Sequence, residues 1–124
     1  IRLDAPTQVI ELKDGVIEEY ILAPKTLGIR DHSPAEIAAL AATSTESSLD
    51  LVLRSLGDDQ SAAADIVALN AGAAIYVSGV ATNLSNGVEM AQDAIASGLA
   101  RERLDELIRV SRMMTTTEAD ASSP

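Results

Sequence analysis

The chain has 124 residues, a formal net charge of −10 and a sequence pI near 4.3. That length suits one domain, or part of a larger one, and that charge repels phosphate backbones and anionic lipid headgroups, so neither nucleic acid nor a membrane is an expected partner. With no cysteine and a single histidine, the sequence has no disulfide framework, no thiolate zinc site and little material for a histidine metal cluster.

No basic start followed by an apolar run and a small-residue cleavage site is present, and a start at Ile1 without methionine suggests a fragment or a processed chain. Thr7 to Leu12 and Val16 to Leu22 are rich in β-branched residues with partial alternation, and Lys13, Asp14 and Gly15 separate them. A three-residue connection ending in glycine predicts a hairpin with a bulged turn, Gly15 taking the positive φ. Pro6 starts the first strand, Pro24 ends the second, and Lys25 to Ile29 reads as a short turn before the helices.

Ser33 and Glu36 form a Ser-x-x-Glu capping box with Pro34 at the first helical position, and Ile37, Leu40 and Ala41 then share a face. A second helix is predicted from about Ser47 to Leu56, with Leu49, Val52, Leu53 and Leu56 inward and Gly57 as its cap. The third, from about Ser61 to Ser78, is apolar almost all round and is expected in the interior. The run Ala62 to Ala81 approaches the ~20 residues of a bilayer span, but it is mostly alanine and includes Asp65, Asn70 and Ser78, which favours a buried helix outside a membrane. Leu84, Val88, Ala91 and Ile95 stripe a fourth helix that Gly98 ends. A fifth, from about Ala100 to Met113, turns Leu104, Leu107 and Ile108 inward and sets Arg101, Asp105 and Arg109 at i, i+4 outside. Residues 115–124 lack periodicity and read as a solvated polar tail. The sum is a β-hairpin followed by about five helices, mostly α.

Few residues suggest chemistry. Glu18 and Glu19 alternate across a strand and so cannot form one carboxylate dyad. His32 beside Asp31 could suggest acid–base work, but without a nucleophile motif it reads as a surface loop histidine. Ser85, Asn86 and Gly87 open a helix whose free N–H groups could bind a phosphate, although capping does the same job. Asn70, in an apolar helix, is expected to be a buried amide that fixes helix register through hydrogen bonds. A carrier-protein serine would need an Asp-Ser-Leu setting, and Ser47-Ser48-Leu49-Asp50 lacks the preceding aspartate.

Two segments carry a resemblance. Asp65 to Gly98, DIVALNAGAAIYVSGVATNLSNGVEMAQDAIASG, joins a small-residue helix to an amphipathic one and is similar to the C-terminal signature of the anthranilate phosphoribosyltransferases. Ile1 to Leu12, IRLDAPTQVIEL, resembles that family's I-S-L-x-G-P-T-x-V-x-E-L without gaps, with Arg2 in place of a common serine and Ala5 of a common glycine. The two occur in family order, and the resemblance extends from Ile1 to about Val110.

The resemblance implies that residues 1–114 are the C-terminal portion of an α/β domain in a cytoplasmic, homodimeric enzyme. Such an enzyme moves 5-phosphoribosyl from phosphoribosyl pyrophosphate to anthranilate in tryptophan biosynthesis, with magnesium holding the pyrophosphate leaving group. The family's Gly-Thr-Gly-Gly-Asp loop, its Lys-His-Gly-Asn segment, its anthranilate-binding arginine and its magnesium-binding Asp-Glu pair are all expected upstream of Ile1. Asp4 lies nearest that pair but matches a position that is not a defining ligand. No catalytic, cofactor-binding or metal residue is therefore expected in this chain, which should bind no magnesium, be inactive alone, and serve to support the strand that ends at the metal pair. Its expected partner is the upstream part of the same enzyme. Composition and periodicity alone would favour a freestanding acidic helical interaction module without catalysis.

Overall fold

The computed structural model describes residues 1–57 and 60–121, the side chains of 118 and 120 apart. It shows a two-stranded antiparallel hairpin followed by five α-helices. Strand β1 (Thr7–Lys13) pairs with β2 (Val16–Leu22) in a register running from Thr7 opposite Leu22 to Lys13 opposite Val16. Lys13 is thus a paired strand residue, and the connection is the two residues Asp14 and Gly15 rather than three. Both have positive φ, 52° and 79°, the combination that a type I′ turn requires and that matches strand twist.

A 3-10 turn, Pro24–Leu27, follows and closes on Gly28 in the left-handed region at φ 77°. Helix α1 (Pro34–Ala38) has the capping box expected of Ser33 and Glu36, but it is only five residues long. Leu40 and Ala41, expected to continue its apolar face, lie beyond it. Helix α2 (Thr45–Ser55) starts earlier than its apolar spacing suggests, because Ser44 is the N-cap and Ser47 reaches back to it in a second capping box. Its stripe is only partly covered: Leu49 and Val52 stay 54% and 42% exposed, while Leu53 and Leu56 are half-buried. Leu56 caps this helix, and Gly57 does not adopt a left-handed φ.

The core lies between α3 (Ala62–Val77) and α4 (Leu84–Ala96). On α4 the stripe falls as its spacing predicts, with Val88, Ala91 and Ile95 buried and Leu84 half-buried, and Gly98 follows at φ 82°. Leu69 and Val88 are fully buried and meet Ile29, with Ile1, Leu3 and Leu27 around them. A second cluster joins Ala68 to Ala91 and Ile95. Between the clusters the two backbones touch. A Cβ on Gly72 would lie 2.6 Å from the Val88 Cα, and one on Gly87 would collide with the Gly72 carbonyl oxygen. Only glycine at both positions permits so close a crossing.

Helix α3 is less interior than its composition suggests. Its first turn and the line Ala68, Leu69, Gly72 are buried, but Asn70 and Ala74 are exposed and Val77 is 83% exposed. Its apolar circumference needs more neighbours than α2, α4 and the hairpin supply. Helix α5 runs from Leu99 to Ala121, well past the expected stop near Met113 and into the segment expected to be a tail. The hydroxyls of Thr115, Thr116 and Thr117 donate to carbonyls four residues back, at 3.0 Å each, which lets threonines sit in an exposed helix. Residues 122–124 of that tail lie outside the described residues. On α5 Leu104 and Ile108 are half-buried, but Leu107, expected inward, is 62% exposed. No helix among the described residues is long and apolar enough to cross a membrane.

Candidate functional site

Three polar junctions tie the segments preceding α2 to α3. The first is at Asn70. Its Oδ1 accepts from the Ile1 nitrogen at 2.7 Å, and its Nδ2 donates to the carbonyls of Ile1 and Ile66, each at 3.0 Å. Asn70 is exposed, not the buried amide expected, and its partners include the main chain of a residue 69 positions away. One planar amide thus reads both backbone groups of Ile1, which fixes the direction of the strand-entry segment against α3.

The second junction is Glu11, which the sequence reading passed over. Tyr20 Oη donates to its Oε2 at 3.0 Å, and Tyr76 Oη donates to its Oε1. The Lys13 ammonium sits 5.2 Å from the centre of the Tyr76 ring. Both aromatic residues of the chain therefore converge on one carboxylate. Donation from Tyr76, then from Tyr20, holds the Glu11 carboxyl below the usual range against partial desolvation. Burial, followed by the Glu11 contact, pushes Tyr20 up to about 12, and Glu11 raises Tyr76. The pairing of Tyr20 with Glu11 is a cross-strand diagonal and could have been found from the hairpin register. The arrival of Tyr76 could not.

The third junction is His32. Its side chain is fully buried, not exposed on a loop as expected, with Nε2 2.8 Å from Asp65 Oδ2 and Nδ1 3.4 Å from Glu36 Oε1. Arg30 donates to Glu36 at 2.6 Å and to the Gln60 carbonyl at 3.1 Å. Arg30 and the Ser33 backbone N–H pull the Glu36 carboxyl down to about 2. Both ring nitrogens of His32 face carboxylates, so neither is turned to a hydroxyl from which it could take a proton. Asp31, its neighbour in sequence, points away to Lys25 at 3.1 Å. An open cleft of about 380 Å³ lies beside this junction, between Arg30, Gln60 and Asp65 on one side and Gln92 and Ile95 of α4 on the other.

The other sequence candidates stand apart from these junctions. Asp4 is exposed and bonds Arg2 at 2.7 and 2.9 Å, which lowers its carboxyl. Glu18 and Glu19 lie opposite Glu11 and Ile10 and so occupy opposite faces, as their alternation predicts. At the start of α4, Asn83 accepts from the Asn86 N–H at 2.8 Å and its carbonyl from the Gly87 N–H at 3.1 Å. Capping thus occupies the donors of Asn86 and Gly87 that could have met a phosphate. Ser47 is used in the α2 capping box. Among the described residues no set of three His, Cys, Asp or Glu side chains is grouped to hold a metal ion. What the junctions can do is hold strand-entry segment, hairpin and loop in fixed relation to α3.

A family model described as glycosyl transferase family, a/b domain, matches residues 1–101. Anthranilate phosphoribosyltransferase of Cellvibrio japonicus is 51% identical over 111 residues, covering 86% of this chain and 32% of the relative. The enzymes of that name from Stutzerimonas stutzeri and Chromohalobacter salexigens are 47% and 48% identical, covering 87% and 92% of this chain and 31% and 32% of their own lengths. The chain therefore spans about a third of the length of these relatives. On the match over residues 1–101, the chain belongs to the glycosyl transferase family represented by this a/b domain.

Proposed function

We propose that this chain is part of an anthranilate phosphoribosyltransferase, an enzyme that transfers 5-phosphoribosyl from phosphoribosyl pyrophosphate to the amino nitrogen of anthranilate and releases pyrophosphate, in tryptophan biosynthesis. The observation that carries this reading is the identity of 51% over 111 residues to a relative bearing that name, within a family match covering residues 1–101. Binding of both substrates and of magnesium falls to the remainder of a homodimeric parent, where the metal supplies charge neutralisation at the pyrophosphate. The part described here contributes support: Asn70 holds Ile1, the phenols of Tyr20 and Tyr76 hold the hairpin through Glu11, and the α3–α4 crossing holds the helices behind them.

The direct test follows anthranilate fluorescence with phosphoribosyl pyrophosphate and magnesium. The isolated 124-residue chain is expected to give no turnover above a matched blank. A chimera in which it replaces the matching third of the Cellvibrio japonicus relative is expected to be active. Turnover by the isolated chain would overturn the supporting role, and a folded but inactive chimera would count against the parent activity.

A further inference from the structure

The hairpin has one anchored face and one open face. Val9, Glu11 and Tyr20 lie on the face that Tyr76 of α3 reaches through Glu11. The register places Leu12 opposite Ile17 and Gln8 opposite Ile21, so that Ile10, Leu12, Ile17 and Ile21 share the other face. These four side chains are 70%, 71%, 70% and 67% exposed. The polar side chains beside them, Gln8 and Glu19, bond to each other. A hairpin built to meet water on one side carries polar residues there, and four large aliphatics on one face of a two-stranded sheet are the reverse of that pattern.

We propose that this face is the seat of an apolar helix face belonging to the part of the parent polypeptide upstream of Ile1, an inference that rests on reading the chain as part of a larger enzyme. Two observations select that occupant. The family match is to an α/β domain, in which a sheet is packed against helices, yet within residues 1–101 the only sheet among the described residues is this hairpin. The chain also spans only 31–32% of its relatives, which leaves polypeptide enough to supply the missing layer. A second copy is disfavoured, since apposing two chains of net charge −10 adds repulsion that the upstream segment need not bring.

The test compares the double variant Ile10→Lys, Ile17→Lys in the isolated chain and in the Cellvibrio japonicus chimera by thermal unfolding. A covered face makes the variant lower the chimera's Tm by about 5 °C or more while leaving the isolated chain within about 2 °C. An equal shift in both, or none in either, overturns the proposal. Should the charged chimera fail to fold, Ile17→Cys in otherwise cysteine-free proteins replaces it. Alkylation of that thiol should be at least about tenfold slower in the chimera than in the isolated chain, and equal rates overturn the proposal. Light scattering that shows the isolated chain dimerising, and the double variant monomeric, assigns the face to a second copy and also overturns it. Inactivity of a folded wild-type chimera speaks against the parent activity alone, because the Tm and alkylation comparisons are read without it.

Discussion

The α3–α4 pair and the hairpin are held by different physics. The helices meet backbone to backbone at Gly72 and Gly87, flanked by fully buried Leu69 and Val88. The hairpin reaches α3 through one hydroxyl-to-carboxylate bond, from Tyr76 to Glu11, and leaves an apolar face open. Dispersion and apolar burial grow with every atom in contact, whereas a part-buried hydrogen bond exchanges water for protein at small net gain. Stability should therefore concentrate at the helix crossing, while the hairpin keeps its position with little energy of its own.

The sharpest test of this contrast is Gly87→Ala. In an unobstructed helix alanine is favoured over glycine by about 1 kcal/mol. Here its Cβ would strike the Gly72 carbonyl, so a loss of about 3 kcal/mol is expected in denaturant unfolding. A gain would show that the crossing is loose. Leu69→Ala should cost about 2–4 kcal/mol in the same assay, as deletion of a fully buried side chain does. On the hairpin, Gly15→Val forces a β-branched residue to φ 79°, for an expected cost of about 1–2 kcal/mol; unchanged stability would reject the type I′ turn.

Titration separates the regions further. Tyr20 is raised from 10.0 to about 12 in the folded chain, so its contribution is complete below pH 10 and is lost as pH rises through 12. Glu36 is lowered from 4.5 to about 2, so its contribution is complete above pH 4.5 and is lost as pH falls toward 2. Tyr20→Phe should reduce the alkaline limb of a stability–pH curve and touch the acid limb only through Glu11, which Tyr20 also holds down, whereas Glu36→Gln should reduce the acid limb and leave the alkaline one. Any other pattern breaks the assignment of the hairpin to one junction and the His32 loop to another. The smallest effect is expected at Arg101→Ala, where losing an exposed i, i+4 pair with Asp105 should cost under about 1 kcal/mol.

Local rules carried much of this fold in the sequence. The strands, the capping box at Ser33 and Glu36, the α4 stripe and the stop at Gly98 all depend on residues within a few positions of one another, where spacing and backbone preference act directly. Where prediction and structure diverged, local signals competed. Lys13 reads as a turn residue by polarity, yet Asp14 tolerates a positive φ and frees it for the ladder. The Ser44 cap moves the start of α2 ahead of its first apolar position, and the threonines of α5 bond backward and let the helix run on.

The candidate junctions were barely legible, because each joins residues far apart in the chain. Nothing near His32 announces Asp65, nothing near Glu11 announces Tyr76, and the exposed Asn70 passed for a buried amide because its neighbours in sequence are apolar. By itself the sequence determined the elements, their order and, through two separated motifs, the family. Which glycines touch, which carboxylate gathers both tyrosines and which apolar faces remain open were decided only in the tertiary structure. Contact between distant segments depends on how whole helices cross, and that crossing is set by summed packing that no local pattern records.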